Sequence, residues 1–291
     1  MGPSYMPRDP SPEEEKQLIQ EIKALRKLAR QGDMVAQYKL GHKLDYDDRD
    51  EGTEWIRQSA MQGYAKAQVD FGILVIEGKV KESWNLFGWL SDSQSTRRSK
   101  AAQDLVEGMA WWHKAAQQGN AFAQFMLGAA YATGKAVGKY GYDIEISMRD
   151  GQNILQDPIV AMKWYHKAAD QGLAYAQKKL ARAYYYGEGV ERSRVEGVKW
   201  YRKLAESGDA VSQFELGLIY VSVTEPAHFT VEGLRWIRKS AEQGNAEAQK
   251  HLAGVYYYGK GVPVDQGEGL RWHHIYNANL KQREFERGVK Y

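Results

Sequence analysis

A chain of 291 residues, 43% hydrophobic and 26% charged, has an ordinary globular balance and is long enough for one large or two ordinary domains. Its 40 basic and 37 acidic residues leave a formal charge of +3, too even for a nucleic-acid surface or a polybasic membrane anchor. With no cysteine, disulfide frameworks and thiolate chemistry are excluded, though either redox compartment is compatible; no apolar run approaches the roughly 18 residues of a membrane span.

The first ten residues, MGPSYMPRDP, lack the apolar core of a signal peptide. A second Met at position 6 behind a Gly-Pro reads as an engineered start from which a leader was removed, so residues 1–10 are expected to be disordered or added and do not argue for the cytoplasm. The pattern Ser11-Pro12-Glu13-Glu14 then opens a helix with a capping box. Residues 24–33, ALRKLARQGD, match WYRKLAESGD at 200–209, with Ala24 where tryptophan stands later. Residues 11–31 are therefore expected to form a lone helix capping a repeat array.

From there the chain repeats itself. Six copies of alanine, two residues, glycine, three residues, small-Gln, two residues and apolar-small centre on Gly32, Gly63, Gly119, Gly172, Gly208 and Gly244, at spacings of 31, 56, 53, 36 and 36 residues. A tryptophan lies eight residues before each of the last five glycines (Trp55, Trp111, Trp164, Trp200, Trp236), and Trp272 continues the series, so six of the nine tryptophans share one position. Val198, Trp200, Tyr201, Leu204 and Ala205 recur at helical steps and predict a helix, here called B, that stops at Gly208. Asp33, Asn120, Asp209 and Asn245 follow their glycines as acceptors for the first N–H groups of a second helix, A. In the last copy its stripe is Ala248, Leu252, Val255 and Tyr256, and glycine-rich turns such as Gly187-Glu188-Gly189 and Gly259-Lys260-Gly261 return the chain to B.

A single hairpin cannot bury both faces, so neighbours must stack into an all-α solenoid with a curved groove. The motif A-x-x-G-x-x-x-AQ-x-x-LG, then Y-x-x-G-x-GV and a tryptophan before the next AA-x-x-G, resembles the Sel1-like repeat family over about residues 17 to 280. The resemblance implies a right-handed α-solenoid of about six hairpins related to tetratricopeptide repeats, and a role as adaptor or binder. On this reading residues 32–280 form the solenoid and 281–291 a capping tail after Trp272. The first unit, LGHKLDYDDRDEG, lacks the glycine-rich turn and is expected to be a truncated hairpin. In the fifth, VSVTEPAHFT replaces that turn, and Pro226 is expected to break the helix.

Two spacings exceed 36 by 20 and 17 residues, placing insertions near 79–103 and 135–158 in adjacent A-to-B connections. The first carries Trp84, Phe87 and Trp89 ahead of Arg97 and Arg98; the second carries Tyr140 and Tyr142. Aromatic and arginine residues dominate interface hot spots, although such aromatics also serve to cover a solenoid edge. With Trp112, which lies outside the repeated tryptophan position, these residues are the candidate partner-binding set.

The residues offer no catalytic, cofactor or metal signature. His113 and His166 share a repeat position with Arg202 and Arg238, which marks a solvent-facing helix site, and no ligand spacing accompanies them or His273-His274. GKAVGKY at 134–140 fails as a phosphate loop because its glycine spacing is one short and no Ser or Thr follows Lys139. The acidic run Asp45, Asp47, Asp48, Asp50 and Glu51 reads as a solvated turn. The expectation is a non-enzymatic protein that binds another folded protein, without nucleic acid, membrane insertion or cofactor. An edge-to-edge homodimer stays open.

Among bacterial proteins of this look, the resemblance implies either neutralisation of a secreted antibacterial toxin, such as a type VI secretion phospholipase, in the periplasm, or a scaffold for envelope or signalling assemblies. Two large irregular aromatic insertions suit one dedicated partner, which favours immunity and a periplasmic location over the scaffold and the cytoplasm. Related repeat proteins with cell-wall or β-lactam chemistry are disulfide-rich, and the absence of cysteine counts against that enzymatic alternative.

Overall fold

The structure is a computed structural model that describes residues 11–44, 49–80, 94–134, 156–222 and 228–286, with the side chains of 49, 94–103, 228–229 and 284–286 left aside. Among the described residues there are thirteen helices and no strand. The chain divides into two compact units, Asp9–Ala176 and Gln177–Tyr291. The first holds α1 (Pro12–Arg30), α2 (Met34–Leu44), α3 (Arg49–Met61), α4 (Ala65–Ile76), α5 (Gln94–Gln117), α6 (Ala121–Thr133) and α7 (Pro158–Asp170). The boundary falls within α8 (Ala174–Tyr186), and the second unit continues with α9 (Arg194–Glu206), α10 (Ala210–Ser222), α11 (His228–Glu242), α12 (Ala246–Tyr258) and α13 (Gln266–Glu286). In each unit consecutive helices pack in chain order, from α1 on α2 to α6 on α7 and from α9 on α10 to α12 on α13. This is the all-α solenoid of helical hairpins.

Local chemistry sets the hairpin ends. Ser11 and Glu14 form the expected reciprocal capping box at the start of α1. At the B-to-A turns, Gly208 has φ +98°, and a Cβ there would meet nothing within 4 Å. Glycine is therefore required by the left-handed backbone and not by crowding. The next residue caps the following helix: Asp33, Asn120, Asp209 and Asn245 each accept from the backbone N–H three residues on, at 2.8, 2.9, 2.7 and 3.2 Å.

A different glycine role brings A and B together. A Cβ on Gly72 of α4 would lie 2.8 Å from the Gly108 carbonyl of α5 and 2.8 Å from the Trp112 ring. Gly217 of α10 and Gly233 of α11 meet in the same way, each Cβ falling 2.7 Å from the other residue's carbonyl. Glycine at both positions lets the two backbones touch, which a side chain would forbid.

The buried glutamines form a ladder through the hairpins. Gln37, Gln68, Gln124, Gln213 and Gln249 each donate from Nε2 to the carbonyl eight residues earlier, at 3.0 to 3.3 Å. Each Oε1 accepts from an amide on the next B helix: Gln62, Gln118, Gln171, Gln243 and, at the last step, Asn279. A buried amide left half-paired would be costly, so both ends being satisfied makes the ladder stabilising. Asn279 shows that α13 keeps the repeat register although Leu280 stands where Gly244 stands in α11. With no glycine to end it, α13 runs on for 21 residues.

The first hairpin is shortened, as expected, and on one side: α2 has 11 residues against 13 in α8, α10 and α12, while α3 has the same 13 as α7 and α9, so the shorter spacing falls on α2 and the connection after it. The repeated tryptophan is not uniformly the buried anchor. Trp111 and Trp272 are buried, but Trp55, Trp164, Trp200 and Trp236 are half-buried, and lysines three residues on cover Trp111, Trp164, Trp200 and Trp236 at 4.1 to 5.1 Å. In the first five copies the residue after the tryptophan is the deeper one: Ile56, Trp112, Tyr165, Tyr201 and Ile237 are all buried, whereas Trp272 is followed by the exposed His273.

Candidate functional site

Of the candidate partner-binding residues, Trp84, Phe87, Trp89, Tyr140 and Tyr142 lie outside the described residues. Arg97 and Arg98 sit in the first turn and a half of α5, which begins at Gln94, so the end of the first insertion is helical and lengthens this B helix to 24 residues. Trp112 requires correction. It is 0% exposed, its ring lies against Gly72, and its Nε1 donates to the Val69 carbonyl at 3.3 Å. This tryptophan is a core residue with no face for a partner. The signal was present in the register, because Trp112 aligns with Ile56, Tyr165, Tyr201 and Ile237.

The position two residues after each tryptophan is more than a solvent-facing site. Arg202 donates to the Tyr220 hydroxyl and Arg238 to the Tyr256 hydroxyl, the latter at 2.7 Å. The same arginines reach Glu232 and Glu268 on the following B helix at 3.9 and 3.4 Å. In the first unit His113 takes this place. It lies 3.4 Å from the Tyr131 hydroxyl and edge-on to Trp164 with centroids 5.6 Å apart. Burial holds its pKa below the ordinary 6.5, since the charged imidazolium would lose solvation. His113, Arg202 and Arg238 thus each meet a tyrosine hydroxyl of their own hairpin and a residue of the next B helix.

Two further clusters carry titratable groups. Tyr38 and His42 of α2 both contact the Asp70 Oδ2 of α4, at 2.9 and 2.8 Å. Burial and then the Asp70 charge raise the Tyr38 pKa, keeping its hydroxyl a proton donor. The carboxylate is thus held by two donors that tie successive A helices together. Glu51, expected in a solvated turn, accepts two bonds from Arg26 at 3.0 and 2.8 Å and one from Trp55 Nε1 at 3.0 Å. It fastens α3 to the N-terminal helix α1. Among the described residues no group of three or more His, Cys, Asp or Glu is placed to hold a metal ion, and no helix is long and apolar enough to cross a membrane.

The second unit presents exposed aromatics that the sequence pattern had absorbed into its repeat signature. Tyr186 and Tyr258 are 52% and 68% exposed at the C-terminal ends of α8 and α12. Tyr186 lies under Arg182 at 5.8 Å, and Arg182 pairs with Glu188 at 3.1 Å. Tyr258 lies edge-on to Tyr257 and beneath Lys260. Large rigid rings beside cations are suited to contact with a protein surface.

The Sel1 repeat model matches seven segments, at residues 35–64, 99–120, 121–149, 145–173, 174–209, 230–245 and 246–275, more than half of the chain. Over 139 residues the chain is 32% identical to chitin synthase regulatory factor 3 of Schizosaccharomyces pombe, a match that takes in 44% of this chain and 14% of that much longer protein. Among solved structures, a Sel1 repeat protein from Oxalobacter formigenes aligns at 24% identity and a TM-score of 0.58, covering 90% of this chain and 93% of that one. The immunity protein PA5088 from Pseudomonas aeruginosa aligns at 18% identity and a TM-score of 0.41, covering 85% and 82%. Capped turns, glycine contacts and the glutamine ladder give the matched repeats their physical basis, and the chain belongs to the Sel1 repeat family.

Proposed function

We propose that this member of a protein-interaction fold is an immunity protein that binds and neutralises one secreted antibacterial toxin, such as a type VI secretion phospholipase, in the periplasm. The observation that carries the reading is the pair of departures from an otherwise regular array. Two adjacent repeat units run to 56 and 53 residues against the usual 36, and the added sequence carries Trp84, Phe87, Trp89, Tyr140 and Tyr142. Aromatic residues concentrated in two long departures from the repeat suit a single dedicated partner. The repeated polar residues serve a different purpose, for the glutamines, arginines and Glu51 hold helix to helix.

The experiment is affinity capture from cells of the source organism, identification of the captured protein, and assay of its enzymatic activity against increasing amounts of this chain. Stoichiometric loss of a secreted lipase's activity supports the proposal. Capture of several unrelated envelope or signalling proteins, with no activity inhibited, points instead to a scaffold.

A further inference from the structure

A solvent-open cleft of about 420 Å³ lies in the second unit, bounded by Tyr185 of α8, residues 194–202 of α9 and the end of α10. Its volume is within the range of ligand-binding pockets. The register explains why it is open. Ser222, which lines the cleft, occupies the position filled by Tyr186 in α8 and Tyr258 in α12. Within the second unit a ring is exchanged here for a hydroxymethyl group.

The lining has two chemistries. Val198, Ile219 and the rings of Tyr185 and Tyr220 make apolar walls, and Val195 extends them to a lip where it is 67% exposed. A β-branched residue is a poor helix former, so neither local propensity nor burial accounts for it there. The same position, five residues before the tryptophan, is Val106, Ile159 and Val231 in α5, α7 and α11 and is exposed in all three, so the valine is an edge feature of the repeat that the cleft takes in. Around these walls stand Arg194, Lys199 and Arg202. Lys199 pairs with Glu196 at 2.6 Å, and Arg202 is engaged by Tyr220 and by Glu232. Arg194 has no ion-pair partner among the described residues.

From this geometry we infer that the α9–α10 cleft is an anchor site for a partner protein's acidic segment in which an apolar side chain enters the cleft and successive carboxylates meet Arg194 and the cations farther along α9. An extended peptide fits better than a single-headed amphiphile. The cations span eight residues of helix, about 12 Å at 1.5 Å per residue, which is more than one carboxylate headgroup can bridge. The inference rests on the protein-binding reading and adds a second contact surface to it, separate from the insertions.

The test uses the whole chain with isotope-labelled Ile, Leu and Val methyl groups, titrated with the blocked peptide Ac-Leu-Glu-Glu-NH2 and with Ac-Leu-Lys-Lys-NH2. The site predicts saturable shifts at the Val195, Val198 and Ile219 methyls, at least tenfold weaker for the lysine peptide. Ser222→Tyr, which installs the residue two sister helices already carry, keeps the fold and abolishes the shifts; Arg194→Glu removes the preference for the acidic peptide. Equal response to both peptides, shifts that survive Ser222→Tyr, or tighter saturation of these methyls by octanoate would each overturn the assignment. Because no toxin is used, a negative result leaves the insertion-based proposal standing, and a positive result does not depend on capture of a toxin.

Discussion

Gln243 donates its side-chain amide to the Oε1 of Gln213 across 2.7 Å, while the Gln213 Nε2 donates to the Ala205 carbonyl at 3.0 Å. The buried glutamine thus bonds its own hairpin at one end and the next B helix at the other. Replacing Gln213 by Leu leaves both the Ala205 carbonyl and the Gln243 amide without it and is expected to cost about 1–3 kcal/mol, the penalty of unpaired polar groups. Gln243→Ala, at an exposed position, is expected to cost less. Urea denaturation of the two variants checks the order.

The tryptophans should differ in the same measurement. Trp112 is buried on all sides, and Trp112→Ala is expected to destabilise by about 3–5 kcal/mol. Trp200 is half-buried, with the Lys203 ammonium 5.1 Å above its ring, so Trp200→Ala is expected to be milder. Equal losses would place the packing weight on the repeated tryptophan and not on its successor.

Gly72→Ala tests the close helix approach. The added methyl would press at 2.8 Å on both the Gly108 carbonyl and the Trp112 ring, and the strain is expected to cost about 1–3 kcal/mol although alanine favours a helix. A melting temperature at or above that of the parent would contradict the contact.

Acidification should weaken the fold through its half-buried histidines. His113 is depressed by burial, and His251 by burial and then by Lys260. Above the ordinary value of 6.5 both are neutral whether folded or unfolded, so neither adds a pH dependence. Below it the unfolded chain takes up more protons than the folded one, and stability falls until the folded-state pKa values are passed. Tyr131 and Trp164 face the His113 ring and supply no charge to reverse the sign. His113→Gln should therefore reduce the loss of stability between neutral and mildly acidic pH.

Much of this fold was legible because helix ends are written in local chemistry. Ser11, Asp33, Asn120, Asp209 and Asn245 cap the helices they were expected to cap, and the turns before the last four depend on a left-handed glycine. Rotation about the helix axis was harder to read. Tryptophan is conspicuous, but one residue is a 100° turn of an α-helix, and the step from Trp200 to Tyr201 passes from a half-buried face to a buried one. That turn is also why Trp112, singled out as functional for lying outside the tryptophan series, belongs to the core. Glycines inside helices, such as Gly108 and Gly233, recur three residues before the repeated tryptophan, but their meaning needs the facing backbone. Glu51 was misread with its acidic neighbours because its partner, Arg26, lies 25 residues away.

Whether the two insertions hold a dedicated partner is tested by the affinity of the captured toxin for the parent chain and for a variant carrying Trp84→Ala, Trp89→Ala, Tyr140→Ala and Tyr142→Ala. With circular dichroism and melting unchanged, at least a hundredfold weaker binding and loss of toxin neutralisation are expected, consistent with interface aromatics worth about 2 kcal/mol or more each at hot spots. Unchanged affinity in the folded variant would contradict it and move the binding surface to the repeats themselves.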